Sequence, residues 1–132
     1  SCYVILARWL AQSGAASNLA HAGEAALGGA APFAIAPLAY LSGVVTGSNV
    51  AANATLVVVQ AELGATAGLP PWLAPALHNF AGAAGVALSF STTALICGLL
   101  ADGTRPAQLW RLLAPAALGV VLVGSAAVLF AG

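Results

Sequence analysis

The chain has 132 residues, of which 61% are hydrophobic and only 5% are charged, and its formal net charge is zero. Soluble domains carry roughly 25% charged residues, so this composition is typical of a protein embedded in a lipid bilayer. A net charge of zero also argues against a nucleic-acid-binding protein, because such proteins neutralise phosphates with basic residues.

Residues 1–31 are predicted to contain the end of one helix and an amphipathic connecting helix. Arg8-Trp9 is typical of a helix end at the membrane interface, and Gln12-Ser13-Gly14 ends that helix. Ala16–Leu27 has polar residues at about helical spacing. The chain begins inside an apolar segment without an initiator Met, and we therefore expect it to be the C-terminal part of a longer membrane protein.

A polar break interrupts the long apolar stretch that follows. Residues 25–61 contain no charged residue, yet they include Thr46-Gly47-Ser48-Asn49 and, shortly after it, Asn53. An unpaired polar group in hydrocarbon costs several kcal/mol, and non-helical backbone is tolerated at that depth only where it lines a cavity or is buried in protein. The break is therefore a candidate substrate or ion site.

Residues 32–64 are predicted to form a re-entrant helical hairpin whose tip is this break. The apolar run Phe33–Val45 is about 20 Å long as a helix, whereas the hydrocarbon core is about 30 Å thick. The run Val50–Leu63 after the break is similarly short. We favour the hairpin over the alternative, which is one full span over Pro37–Leu56 with the polar residues inside it.

Residues 72–101 are predicted to form a discontinuous transmembrane helix, and residues 107–131 the last transmembrane helix. The first of these segments is longer than one span needs and contains a break, predicted near residues 85–91, with a half-helix restarting near Thr92. Arg105 and Arg111 flank the short loop between the two segments, and the positive-inside rule assigns that loop to the cytoplasm. The hairpin would then enter the membrane from the outer face.

The two breaks together predict a binding site for a small carboxylate. Discontinuous helices near the bilayer midplane commonly hold substrates and ions in transporters, and helix N-termini expose N–H groups and a partial positive charge. The predicted binding residues are Ser48, Asn49, Asn53, Gly82, Gly85 and Ser89. The alternative is that these small and polar residues only mediate helix packing in lipid.

His78 and Glu62 are the candidates for carrying a coupled proton, since ionisable residues inside a membrane are functional candidates. A hydrogen-bonded structural histidine and an interfacial carboxylate are the simpler interpretations. Cys2 and Cys97 have no spacing that indicates a metal or disulfide site. No catalytic triad, metal cluster or nucleotide loop is recognisable in the sequence, so we expect neither an enzyme nor a cofactor, only a coupling ion.

The polar segments resemble those of the L-lactate permease family over roughly residues 10–130. That family has a Gly-Ser-Asn-Thr-x-Ser-Asn stretch with a Gln at a fixed distance, a Gly-Gly-Ala-x-Gly break, and a polar loop with an Arg before the last span. Val50 and Ala52 stand where the first pattern has Thr and Ser. The matching segments here are Thr46-Gly47-Ser48-Asn49 with Asn53 and Gln60, Gly82-Ala83-Ala84-Gly85 with Ser89 to Thr93, and Gly103-Thr104 with Arg111.

The resemblance implies an all-α membrane protein that is half of an inverted-repeat transporter, with the first repeat missing from this chain. It implies proton-coupled uptake of lactate or a related small monocarboxylate, in the bacterial inner membrane, and a homodimeric assembly. Two alternatives remain open: a Na⁺-coupled dicarboxylate transporter of a related family, and a non-transporting membrane fragment.

Overall fold

The computed structural model describes residues 2–131, and within that range the chain consists of helices without any strand. The prediction of an all-α protein is confirmed; Ser1 of the predicted first segment lies outside the described residues. The elements in chain order are α1 Cys2–Gln12, α2 Ala15–Leu27, a 3₁₀ helix Gly28–Ala34, α3 Ile35–Thr46, α4 Asn49–Thr66, α5 Leu73–Ala87, α6 Phe90–Leu100 and α7 Pro106–Leu129.

Within residues 2–131, three helical stretches are long and apolar enough to cross a membrane, judged by length and composition: Ala15–Thr46, Leu73–Leu100 and Pro106–Leu129. The chain is therefore a multi-pass membrane protein. The last two stretches agree with the predicted discontinuous helix and last span. The first was not predicted as one stretch. It joins the predicted connecting helix to the first arm of the predicted hairpin, because α2 continues through the 3₁₀ helix into α3, with a bend at Gly28, whose φ is 54°.

The first break separates α3 from α4 and reverses the chain. Gly47 has a left-handed backbone with φ 64°, and Ser48 is extended. Gly43 of α3 and Gly47, just after that helix, lie beside successively later residues of α5 and α6, whereas Gly64 of α4 lies beside Ala74, at the start of α5. The helix α3 thus runs parallel to α5 and α4 runs antiparallel to it. The two helices form a hairpin, and no single helix spans Pro37–Leu56.

The hairpin is anchored to α5 by glycines that allow direct backbone contact. A Cβ atom built at Gly43 would overlap the carbonyl oxygen of Gly82 and lie 2.9 Å from its carbonyl carbon. Reciprocally, a Cβ atom at Gly85 would overlap the carbonyl oxygen of Tyr40. Small residues that let helix backbones approach closely are the usual basis of packing inside membranes, and here they fix the position of α3 on α5.

The second break lies between α5 and α6, at Leu88 and Ser89. It is narrower than the predicted break at residues 85–91, and α6 begins at Phe90 rather than near Thr92. Gly82 and Gly85 belong to α5 and not to the break, and their lack of a side chain allows the backbone of α3 to lie directly against α5. Ser89, two residues after the end of α5, is the N-cap residue of α6. The irregular segment ends at this residue.

The last helix, α7, packs antiparallel to α3. Ser125 Oγ donates a hydrogen bond to the Phe33 carbonyl oxygen at 3.2 Å, and Gly124 lies beside Ala36. At the other end of α7, Trp110 meets Phe90 edge to face, with ring centroids 5.2 Å apart. By contrast, most of α6 is exposed, with Thr93 its buried residue, as expected for an apolar helix that faces lipid or another chain.

We expect Gly43→Ala to destabilise the fold by about 1–3 kcal/mol, because the new methyl group overlaps the Gly82 backbone and pushes α3 away from α5. Gly98→Ala in α6 is the matched control, since a Cβ atom there meets nothing within 4 Å. The control should be neutral or stabilising by about 0.5–1 kcal/mol. Tryptophan fluorescence during unfolding in mixed micelles measures both changes. Equal stability of the two variants would contradict the packing described here.

Candidate functional site

The first break ends with a serine cap on α4. Ser48 Oγ accepts a hydrogen bond from the Ala51 N–H at 3.3 Å, and Thr46 Oγ1 donates to the Ser48 carbonyl oxygen at 3.0 Å. The first N–H groups of a helix have no acceptor within the helix. The cap satisfies one of them, which leaves the N–H groups of Asn49 and Val50 without an intrahelical acceptor.

The second break has the same local chemistry at α6. Ser89, only 1% exposed, accepts a hydrogen bond at Oγ from the Thr92 N–H at 3.1 Å and donates to Thr92 Oγ1 at 2.9 Å. Its Oγ also lies 3.1 Å from Ser91 Oγ. Each break is therefore a short irregular segment closed by a serine at the start of a new helix, which is a favoured N-cap residue.

The two breaks touch each other at Gly47. A Cβ atom built at Gly47 would overlap Ser91 Oγ and lie 3.5 Å from Ser89 Oγ. Gly47 is required on two grounds, since its φ of 64° also disfavours any other residue. The contact brings the N-terminus of α4 beside the N-terminus of α6. Each helix N-terminus carries roughly +0.5 elementary charge, so the two positive ends adjoin.

A cluster of three asparagine side chains, Asn49, Asn53 and Asn79, lies beside the first break. Asn49 Nδ2 and Asn53 Nδ2 both donate to Asn79 Oδ1, each at 2.9 Å. The Oδ1 atoms of Asn49 and Asn53 are buried without a hydrogen-bond donor. Asn79 is an exposed residue of α5, so the cluster reaches the surface of the chain and also ties the hairpin to α5.

His78 lies beneath this cluster and is fully buried. Its Nδ1 is 2.7 Å from Gln60 Oε1, and its Nε2 is 3.2 Å from the Ala52 carbonyl oxygen. A neutral imidazole has one N–H. Exchanging the oxygen and nitrogen of the Gln60 amide satisfies both ring nitrogens: Gln60 Nε2, otherwise buried without a partner, donates to Nδ1, and Nε2–H donates to Ala52. His78 thus joins α5 to α4.

The other predicted site residues have different surroundings. Glu62 is exposed and lies two residues after Gln60, which places it on the opposite side of α4 from His78. Gly82 lies beside Asn49 Oδ1, since a Cβ atom there would be 3.2 Å from that oxygen, whereas Gly85 lies against α3. The fold thus gathers Ser48, Asn49, Asn53, Gly82 and Ser89 around the two breaks, and it separates Glu62 from them.

Asn79 is the residue of the cluster that the sequence analysis missed. The signal was present, because an amide inside an apolar helix needs a polar partner, the same argument that singled out Asn49. Ser91 was recognised as part of the second break but was not predicted to contact the hairpin tip, since that contact depends on how α3 packs against α5.

The chain matches no protein-family profile, no curated protein and no solved structure. A function for the chain is therefore inferred from the geometry of the two breaks and of the asparagine cluster.

We expect Asn79→Ala to destabilise the protein by about 1–2 kcal/mol, because it removes the acceptor shared by two amide groups. Asn18→Ala is the control, since Asn18 is an exposed asparagine on α2 with no side-chain hydrogen bond among those described. Unfolding in mixed micelles, followed by tryptophan fluorescence, compares the two variants. A loss of stability in Asn79→Ala no larger than in the control would show that the cluster does not hold the hairpin.

Proposed function

We propose that this chain is part of a secondary active transporter for a small monocarboxylate such as lactate, coupled to protons. The observation that carries the proposal is the contact between Gly47 and Ser91, through which the N-termini of α4 and α6 adjoin. Two partial positive charges and uncapped N–H groups suit a carboxylate, and broken helices in an apolar chain are the usual location of transporter sites.

The asparagine cluster supports the same proposal. Amide groups donate as well as accept hydrogen bonds, so Asn49 and Asn53 are able to hold a carboxylate through Nδ2 or a substrate hydroxyl through Oδ1. Ser48 and Ser89 cap the two helices at the same place. In this proposal Gly82 allows the cluster to approach α5, and His78, hydrogen-bonded on both sides, supports the site and is the candidate for proton coupling.

The setting of this proposal follows the resemblance to the L-lactate permease family. The hairpin of α3 and α4 is then re-entrant, and the chain supplies one of two inverted repeats in a homodimeric protein of the bacterial inner membrane. The loop that contains Arg105 faces the cytoplasm. Glu62, exposed and remote from His78, is the weaker candidate for proton coupling.

A non-transporting membrane subunit is the second candidate function. The observation in its favour is that the polar groups at the breaks largely satisfy one another, and the glycines of α3 and α5 serve close packing, as expected for polar residues that hold membrane helices together. This candidate predicts stability effects of the site variants without any uptake activity.

Lactate uptake driven by a pH gradient tests the proposal, using proteoliposomes of the protein expressed from its complete gene. We expect Asn49→Ala to reduce uptake by about tenfold or more, because it removes a hydrogen bond to a charged group. Asn18→Ala should transport normally. Undiminished uptake in a folded Asn49→Ala protein would overturn the assignment of the site, and absence of lactate uptake by the unmodified protein would favour the structural subunit.

The coupling ion is tested in the same vesicles. Replacing Na⁺ by choline at constant pH should leave lactate uptake unchanged, because a proton-coupled carrier does not use the sodium gradient. Loss of uptake in choline, together with transport of a dicarboxylate, would instead identify a Na⁺-coupled dicarboxylate transporter.

A further inference from the structure

Two arginines line one cavity at the start of α7. Arg105 and Arg111, together with Gly103, Ala107 and Gln108, surround a volume of about 470 Å³. They are two of only three basic residues in the chain, and both are exposed. Within residues 2–131, neither guanidinium group has a carboxylate partner, since the ion pair found there joins His21 to Glu24.

The polar groups of the adjoining loop are already hydrogen-bonded among themselves. Asp102 Oδ1 accepts from the Thr104 N–H at 2.9 Å and also from the Thr104 hydroxyl, which holds the pKa of the Asp102 carboxyl below its usual range. Asp102 is therefore ionised but faces Thr104. The Arg105 N–H donates to Gln108 Oε1 at 2.7 Å. Among residues 2–131, the side chains of Arg105 and Arg111 make no hydrogen bond or ion pair, so both guanidinium groups are free to bind an anion.

The position of this cavity between two candidate membrane spans determines its depth in the bilayer. The loop at residues 101–105 joins Leu73–Leu100 to Pro106–Leu129, two stretches that are long and apolar enough to cross a bilayer. A connection between two spans lies at the level of the lipid headgroups. Phosphate is the anionic group that is abundant at that level, and guanidinium groups bind phosphate through paired N–H donors.

We propose that Arg105 and Arg111 form a binding site for the phosphate group of an anionic membrane phospholipid. The site is separate from the two helix breaks and does not depend on transport. Its consequence is that α7 is anchored to one leaflet by specific headgroup contacts as well as by its apolar surface.

A titration with an acyl-chain-labelled dansyl phosphatidylglycerol, added to the protein in phosphatidylcholine nanodiscs, tests the site by energy transfer from tryptophan. We expect saturable binding, weakened about fivefold by Arg105→Gln or Arg111→Gln and about 25-fold by both. Arg8→Gln, which removes the third arginine in α1, is the control of equal charge and should bind as the unmodified protein does. Equal weakening in all three single variants would overturn the proposal, since it would indicate a general charge effect.

A further variant and a competition experiment identify the ligand. Asp102→Asn keeps an acceptor for Thr104 and removes a negative charge, so binding should strengthen by about two- to fivefold. Inorganic phosphate at millimolar concentration should not displace the labelled lipid. Displacement by inorganic phosphate would overturn the lipid assignment, because the site would then bind free phosphate.

Discussion

Backbone contact between α3 and α5 is the constraint on which the rest of this structure depends. The contact is possible because Gly43, Gly82 and Gly85 have no side chain where the two helices cross. In a bilayer there is no hydrophobic driving force between helices, so close approach of small residues supplies much of the attraction. Once α3 lies along α5, the end of α3 meets the end of α5, and both helices break at the same place.

The position of the polar residues follows from that crossing. Gly47, just after α3, lies against Ser91, just beyond the end of α5. The reversal at Gly47 sends α4 back along α5 in the antiparallel direction, and both α3 and α4 lie beside Gly82. Asn49, Asn53 and Gln60 then face α5, where Asn79 and His78 provide their partners. The Nδ2 groups of Asn49 and Asn53 and the ring nitrogens of His78, which would be costly singly in an apolar chain, are thereby paired in a seam between α4 and α5. The same hydrogen bonds between α4 and α5 hold the residues of the proposed substrate site in place.

Much of the fold was predictable from local patterns, and the errors have a common physical cause. The composition predicted a membrane protein. The polar segment at Ser48 predicted a break between two helices, since a polar, glycine-containing segment interrupts an apolar helix. The second break was predicted too broadly because Gly85 was interpreted as the start of the irregular backbone and Gly82 as a residue of the binding site beside it. Both glycines are helical, and both lie against the backbone of α3. Glycine content alone does not distinguish a helix that breaks from a helix that packs closely, because both need the absence of a Cβ atom.

The sequence by itself determined that this chain lies in a membrane, that it is helical, and that its helices are interrupted near Ser48 and Ser89, because these properties depend on composition and on neighbouring residues. Only the tertiary structure decided which polar groups meet. The contact of Gly47 with Ser91 joins residues more than forty positions apart, and Asn79 became the shared acceptor of Asn49 and Asn53 through the antiparallel packing of α4 on α5. These partners depend on how the helices pack against one another. That packing is controlled jointly by small residues at distant positions, so no local sequence pattern encodes it.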